Sequence, residues 1–448
     1  MREKSTQTEL KRTLKTKDLV IYGLVFMIPL APAGMYGTFL SPASGMVSLC
    51  YLIGMIAMFF TGMSYHTMSG KYPMTGSVYV YVQKSVSPAL GFLTGWSILL
   101  DYLLLPATVI IIGSASAKAL FPAVPLWVWT ILFVLFSTLV NVIGVDFMSK
   151  CSWILFVLQI VVILAFLGCV IRLLINGTVS FNMISFYNPQ EFNMSGILQA
   201  TGIVILSYLG FDAISTLAEE AVNPEKSVGK AVLLSILIIG MIFIVITFFC
   251  GVAYPDYTKL NVDTAFLDIV SFVGGKWLTL LTTITLVLSF GVATTQASQA
   301  AVARILFAMG RDGILPKPLG YINAKYRTPA VATVVVGILI TPIAMFCDLG
   351  LISTMVSFGA LFGFILLNIA TIWKFFLQDK ERRQKNFGKN FLLYFLFPAI
   401  GLGITTWIFL NLGIVAHTVG FLWLGIGFFY LAAVTKAFRR PVPLLDME

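Results

Sequence analysis

Charge is the property that this sequence most clearly lacks. Only 11% of its 448 residues are Asp, Glu, Lys or Arg, whereas soluble domains carry about 25%. Hydrophobic residues make up 58% of the chain, and the mean hydropathy is +0.94. So few charged side chains cannot cover a water-facing surface, and we therefore expect lipid to surround most of the chain. This composition excludes the ordinary classes of soluble enzyme and soluble binding protein.

Motifs that carry common catalytic and metal chemistry are also missing. The chain has two histidines, both near the ends of apolar runs, and its five cysteines have no CxxC or Cys/His spacing. We therefore expect neither a metal site nor disulfides. The absence of a P-loop and of a Gly-x-Ser-x-Gly elbow excludes the usual ATP-driven pumps and membrane hydrolases. The protein is thus expected not to be an enzyme and to use no cofactor.

Twelve apolar runs dominate the chain, each near the length of about 20 residues that a helix needs to cross a bilayer. They lie at roughly 18–42, 45–69, 86–117, 126–145, 148–173, 195–218, 229–253, 276–303, 329–347, 350–374, 391–411 and 414–436. No connector is long enough to form a separate soluble domain. The N-terminal segment is polar and basic, and no cleavage motif follows it, so we expect the first run to be retained. The pattern predicts an all-α integral membrane protein with about twelve spans.

Lys and Arg are distributed very unevenly between the two sides of this topology. If the N-terminus is cytoplasmic, all but four of the 29 lie on the cytoplasmic side; those four are Lys118, Arg172, Lys259 and Lys276. Because cytoplasmic connectors are enriched in Lys and Arg, the asymmetry predicts a multi-pass protein of the plasma or inner membrane with both termini cytoplasmic. Topology and anionic lipid headgroups then explain the net charge of +10, and we expect no nucleic-acid partner.

Two of the predicted spans contain residues that break helices. The first span places Pro29, Pro32, Gly34 and Gly37 within ten residues at its middle, and the sixth places Gly210 beside a carboxylate. Taken alone, the first pattern fits a proline kink equally well. Interrupted helices at matching positions of two halves are, however, typical of transporter substrate sites. There, free N–H groups bind a carboxylate and free carbonyl groups bind an ammonium.

Polar groups inside the predicted spans are the second sign of function. A carboxylate at a helix centre costs about 2.5–3.5 kcal/mol on insertion scales and is therefore rare without a role. We expect Asp212 to cap the second half of span 6, and Asp101 in span 3 to serve proton coupling or to anchor helices. Gln159 in span 5 is expected to be an interhelical amide. Span 8 is unusually polar, and part of this face, including Ser289, is expected to line the pathway rather than only to join helices.

Several separated strings resemble the amino acid–polyamine–organocation (APC) superfamily of transporters over essentially the whole chain. They are YPMTGSVYVY (72–81), GWSILLDY (95–102), GFDAISTLAEE (210–220), NPEK (223–226), ARILFAMGRDGILP (303–316) and RTPA (327–330). The strings in spans 3 and 8 look nearest to the bacterial putrescine importer branch. The resemblance implies a LeuT-like fold of two inverted five-helix repeats with spans 1 and 6 broken, followed by two additional C-terminal helices.

The resemblance also implies a substrate site between spans 1, 3, 6 and 8. Carried over by position, it assigns to the site the residues Ala33, Gly34, Met35, Ser207, Phe211, Asp212 and Ile214. Phe211 would be the aromatic gate over the substrate. Two positions depart from the family's patterns. Span 1 lacks the Gly-x-Gly of many amino acid carriers and has Gly34 where polyamine carriers can have a carboxylate. Gln159 stands where some members have a lysine.

The leading hypothesis is a proton-coupled symporter that imports amino acids or polyamines by alternating access, with Na⁺ as the alternative coupling ion. A putrescine-specific importer and an amino acid/amine exchanger are alternatives within this class. A channel or a non-transporting sensor would need a selectivity ring or a soluble output domain, and neither is visible. The expected organisation is one membrane domain over 1–448. It comprises a cytoplasmic N-tail (1–17), two inverted repeats (18–173 and 195–374), two extra helices (391–436) and a cytoplasmic C-tail (437–448).

Overall fold

A computed structural model defines most of the chain. It describes residues 13–72, 78–143, 148–311, 316–323, 325–379 and 386–436. Parts of three predictions lie outside these residues. They are most of the N-tail, the whole C-tail and, within the family motifs, segments 73–77 and 312–315.

The described residues form helices and no sheet; a single isolated bridge joins Leu14 to Ala221. The α-helices are α1 Thr16–Phe26, α2 Ala31–Leu40, α3 Val47–Lys71, α4 Val78–Ser85, α5 Pro88–Leu120, α6 Leu126–Ile143, α7 Met148–Ile175, α8 Met194–Tyr208, α9 Pro224–Ala253, α10 Ala265–Leu286, α11 Thr295–Arg311, α12 Ala330–Phe346, α13 Leu349–Thr371, α14 Phe387–Phe391, α15 Phe397–Leu410 and α16 Ile414–Val434. The 3₁₀ helices are Tyr257–Lys259, Lys317–Gly320 and Asp212–Glu220, and π-helical segments occupy Val287–Thr294, Ile372–Gln378 and Leu392–Leu396.

Ten helices in the described part of the chain are long and apolar enough to cross a membrane, and the bent pair of α1 and α2 makes an eleventh. The helix Ala330–Phe346 is apolar but shorter. Burial separates central helices from peripheral ones. In Met194–Ser215 and Pro88–Leu120, 83% and 72% of the most apolar stretch is buried, against 22% in Ile414–Val434. The first two helices therefore form the centre of the bundle, and the last presents apolar side chains to lipid.

The helix of the first span is interrupted between α1 and α2, whose axes meet at 46°. Pro29 has no N–H and cannot continue α1, and Ile28 takes the left-handed conformation with φ of 53°. Pro32 lies in the first turn of α2, where a missing N–H does no harm to the helix. Proline chemistry at these two positions therefore both ends one helix and begins the next.

A second interruption divides the predicted sixth span. The helix α8 ends at Tyr208, Leu209 is extended, and Gly210 has φ of 116°, which side-chain-bearing residues rarely adopt. A Cβ on Gly210 would also lie 2.3 Å from the Phe26 ring of α1. A 3₁₀ helix, Asp212–Glu220, then continues the chain. The glycine thus permits both the turn and the close approach of the two broken spans.

The predicted eighth span contains a π-helical segment at its middle. The segment Val287–Thr294 joins α10 to α11, and the Thr295 hydroxyl donates to the Phe290 carbonyl five residues earlier. The segment packs closely against α5 because a glycine of each lies at the contact. A Cβ on Gly113 of α5 would lie 2.4 Å from the Cα of Gly291 in the segment. Wider π turns are frequent at functional sites, and this one brings its side chains to the broken spans.

Candidate functional site

A cavity of about 130 Å³ lies between the two helix breaks. That volume could hold on the order of ten water molecules, which is the size range of a small amine or amino acid. The first two helices, α5, α7, α8, the π-helical segment and α11 all contribute to its wall. Its lining residues are Val25, Phe26, Met27, Ile28, Ala31, Met35, Leu105, Thr108, Val109, Ile112, Leu155, Gln159, Leu206, Ser207, Leu209, Ser289, Phe290, Ala293, Thr294, Ala297 and Ser298.

The side chains that line this cavity are uncharged. Among these described residues the only polar side chains are five hydroxyls and one amide: Thr108, Ser207, Ser289, Thr294, Ser298 and Gln159. Apolar walls with a few placed polar groups are typical of small-molecule sites. Any charge on a bound solute must therefore be balanced by backbone dipoles or by charges just outside the wall.

Gln159 connects three spans at the edge of the cavity. Its Oε1 accepts the N–H of Leu30 at 3.1 Å, within the break of the first span. Its Nε2 donates to the Ser289 Oγ of the π-helical segment at 3.2 Å. The side chain is only 4% exposed, so both bonds are shielded from water. A neutral amide thereby joins α7 to the first and eighth spans, using both its donor and its acceptor.

A buried tyrosine pair supports the opposite wall. The Ser207 Oγ lies 3.0 Å from the Tyr51 hydroxyl and 3.5 Å from the Met35 sulfur. The Tyr208 hydroxyl donates to the Tyr51 carbonyl at 2.7 Å. These contacts fix the last turn of α8 against α3 and hold Ser207 at the cavity surface.

The Asp212 carboxylate lies at the break of the sixth span. It accepts the Gly210 N–H at 3.2 Å, and the Ala213 N–H donates to the Gly210 carbonyl, also at 3.2 Å. The Ser215 hydroxyl donates to the Asp212 carbonyl. A carboxylate at the first residues of a helix satisfies N–H groups that the helix cannot. In this structure the side chain closes the broken end of its own helix and does not reach the cavity wall.

Asp101 lies behind the cavity rather than in its wall. It is 9% exposed, and its backbone and Cβ face Gly359 of α13. No donor in the described part of the chain forms a hydrogen bond with its carboxylate. Asp212 is close enough to interact with it electrostatically, as it is with Tyr102. Two carboxyl groups of different spans are therefore within electrostatic range of one another.

The residues predicted from sequence divide into three groups. Met35, Ser207, Gln159 and Ser289 meet in the cavity wall. Ala33 and Gly34 line a smaller cavity of about 20 Å³, on the far side of α2, beneath residues 262–267. The remaining four, Asp101, Phe211, Asp212 and Ile214, line neither cavity.

Two of these four pack into the protein core. Phe211 is fully buried, with its ring 5.4 Å from those of both Tyr65 and Phe364. Ile214 is also fully buried and lies against Gly23 of α1. The chain passes the turn at Gly210 just before Phe211, so this ring faces α3 and α13 and the wall is formed by the preceding residues.

Several wall residues have no counterpart among the sequence predictions. They include Phe26, Thr108, Leu206, Leu209 and Phe290. Four of them are apolar and carry no chemical signal within an apolar span. Only Thr108, a lone hydroxyl in the second half of α5, could have been found from residue type.

Comparison with known proteins gives a consistent result over nearly the whole chain. The family model described as amino acid permease matches residues 26–435. The low-affinity putrescine importer PlaP of Escherichia coli (strain K12) is 35% identical, over 98% of this chain and 97% of its own length. Two proteins of Bacillus subtilis (strain 168), the branched-chain amino acid permease BcaP and the methylthioribose transporter, are 24% and 26% identical over 94% of this chain and 93% of theirs. All three are permeases or transporters, not enzymes.

Proposed function

Because the chain belongs to the amino acid permease family and is a multi-pass membrane protein, we propose that it imports small amines or amino acids by alternating access. The observation that carries the proposal is the cavity at the meeting point of two broken helices. Such breaks expose backbone dipoles at membrane depth only where protein or a cavity covers them. A solute-sized cavity at that point is the expected form of a transporter site.

The proposed topology has twelve spans, with both termini cytoplasmic. Counting α1 and α2 as one span and adding the shorter helix Ala330–Phe346 to the ten long ones gives this number. The breaks then fall in spans 1 and 6, which would begin two inverted repeats at 18–173 and 195–374. The last two helices, within 391–436, would be additions outside the repeats. The tails 1–17 and 437–448 would lie on the cytoplasmic side of the plasma or inner membrane.

Contacts on the two sides of the breaks support an inward-facing state. The cavity continues past the breaks along α1 and the first part of α11, toward the side that carries the termini. On the other side, Gly37 of α2 lies directly against the backbone of Val262, where even a Cβ would overlap the carbonyl oxygen. Alternating access then consists of separating this outer contact and closing the inner path.

Coupling to protons is proposed to involve Asp101. Gln159 cannot titrate, and both of its hydrogen-bonding groups are already used by Leu30 and Ser289. The buried carboxyl of Asp101, which has no hydrogen-bond donor in the described structure, remains the candidate for binding a proton during the cycle. Na⁺ coupling and exchange are the alternatives that the experiment separates.

The test is uptake of labelled putrescine, and separately of labelled amino acids, into proteoliposomes that contain the purified chain. We expect saturable uptake that an imposed proton gradient increases and a protonophore abolishes. Uptake that follows only a Na⁺ gradient, or only counter-substrate inside, would replace the proton mechanism by symport with sodium or by exchange. A flux that does not saturate would contradict a carrier altogether.

The role of Asp101 is tested with Asp101→Asn, and Asp348→Asn serves as its control. Asp348 is a helix cap whose carboxylate accepts the Leu351 N–H at an exposed position, so the same chemical change there should leave uptake intact. Asp101→Asn is expected to retain substrate binding, measured by thermal stabilisation, and to lose gradient-driven accumulation. Normal accumulation by Asp101→Asn would remove the residue from the coupling step.

A further inference from the structure

Residues 29–33, at the break of the first span, offer no free backbone donor in the described structure. Pro29 and Pro32 have no N–H. The Leu30 N–H is held by Gln159 at 3.1 Å, and the N–H groups of Ala31 and Ala33 donate to backbone carbonyls at 2.8 and 3.0 Å. A carboxylate is bound at a helix N-terminus by several N–H groups that converge on it. In residues 29–33, those groups are either absent or already bonded within the protein.

The Asp212 side chain occupies part of the break of the sixth span. The Gly210 N–H donates to the Asp212 side chain at 3.2 Å, and the Ala213 N–H donates to the Gly210 carbonyl at 3.2 Å. The protein's own carboxylate thus occupies the position that an anionic group of a solute would take.

No cation in the described wall of the cavity compensates for the missing donors. The described residues that line the cavity include neither Lys nor Arg. Burying an ionised carboxylate without a partner costs far more than burying a neutral group. The six polar side chains of the wall are neutral and cannot balance a full negative charge.

Acceptors, by contrast, remain free at the same place. The carbonyl groups of Val25, Phe26 and Met27 end α1, their residues line the cavity, and no backbone N–H of the described chain donates to them. The C-terminal end of a helix carries the negative end of its dipole and favours cations. An ammonium group at this point would find these carbonyl oxygens directly.

We propose that the site takes a primary amine that lacks a carboxylate, and that Pro29, Pro32 and Gln159 exclude the matching amino acids. This narrows the substrate class of the proposed transporter and rests on that proposed function. Amines and amino acids share the ammonium group. Only the amino acids also carry a carboxylate, for which residues 29–33 offer no free backbone donor.

The test uses pairs of solutes that differ by one carboxylate. Putrescine is compared with ornithine, cadaverine with lysine, and 3-methylbutylamine with leucine, each as a competitor of labelled putrescine uptake in proteoliposomes. We expect each amine to inhibit at a concentration at least ten-fold lower than its amino acid. Amino acids that compete as well as the amines, or uptake of labelled amino acids but not of putrescine, would overturn the inference while leaving the transporter function intact. Uptake of neither class by folded protein would overturn both.

A substitution that restores a donor tests the cause of the selectivity. Pro32→Ala returns an N–H to the first turn of α2 and keeps a residue that favours helix. We expect the ratio of the half-inhibitory concentrations of ornithine and putrescine to fall at least three-fold. Pro342→Ala is the matched control, because Pro342 is inside α12 and does not line the cavity, and its ratio should equal that of the parent chain.

Reading a ratio keeps the outcome interpretable when a variant is less stable, since a loss of folded protein affects both competitors equally. Gln159→Leu provides a second variant, as it releases the Leu30 N–H without touching a proline. We expect a fall in the same ratio. If neither Pro32→Ala nor Gln159→Leu changes the ratio, the backbone donors do not determine the selectivity and the assignment of these residues is wrong.

Discussion

Replacing Gly113 by Ala should destabilise the protein, although Ala is the better residue for a helix. An added Cβ would lie 2.4 Å from the Gly291 Cα and 2.6 Å from its nitrogen. Both are backbone atoms of the π-helical segment and cannot rotate away, so α5 and this segment would have to separate by about an ångström to restore ordinary contact distances. Overpacking of this kind costs about 1–3 kcal/mol.

The same substitution at Gly425 is the matched control. No atom outside its own helix lies within 4 Å of a Cβ added there, and Gly425 is in the interior of α16. Ala should then gain about 0.8–1.0 kcal/mol from helix propensity. The propensity gain applies to both glycines, so the two chemically identical changes are expected to differ by the overpacking cost alone, about 1–3 kcal/mol, a large part of the stability of a typical protein.

The measurement is the midpoint of thermal unfolding of each purified variant in detergent, followed by titration with putrescine. Gly113→Ala should unfold at a lower temperature than the parent chain and Gly425→Ala at the same or a higher one. Putrescine should also bind more weakly to Gly113→Ala, because Val109 and Ile112 of α5 and Phe290 of the π-helical segment would no longer meet across the cavity. Equal midpoints for the two variants would refute the close crossing of these helices.

Three further substitutions probe other contacts. Gln159→Leu should lower the unfolding midpoint, since it leaves the buried Leu30 N–H without an acceptor, at a cost of about 1–3 kcal/mol. Gly37→Ala should open the outer side of the site, because a Cβ would overlap the Val262 backbone. A cysteine at Ser116, which lines the smaller cavity beneath residues 262–267, should then react faster with an impermeant maleimide. Phe211→Ala should lower the midpoint by removing a fully buried ring, a loss of about 3–5 kcal/mol, with little change in half-saturating concentration.

Each of these variants has a counterpart elsewhere in the chain. Gln199→Leu alters an exposed amide of α8 and should be neutral. Gly403→Ala adds a methyl where nothing lies within 4 Å and should leave labelling at Ser116→Cys unchanged. Leu206→Ala removes a wall residue and should raise the half-saturating concentration. If Phe211→Ala raises it more than Leu206→Ala does, the aromatic gate predicted from the family resemblance is the better assignment.

The membrane character and the positions of both helix breaks could be predicted from the sequence because they follow from local chemistry. Apolar runs of span length require a lipid solvent wherever they pack. A proline without an N–H interrupts a helix whatever surrounds it, and Gly210 can adopt a φ of 116° that other residues resist. The intramembrane carboxylates were noticeable for the same reason, since their cost depends on depth in the membrane more than on partners.

Which side chains meet at the site was decided only by the tertiary structure. Gln159 joins Leu30 and Ser289, which are more than a hundred residues away along the chain in opposite directions, and no local pattern encodes that meeting. Phe211 and Leu206 are both apolar residues near one break, yet the turn at Gly210 directs the first into the core while the second forms the wall. Backbone direction at a break determines where each side chain points, and the packing of distant helices determines what it meets there.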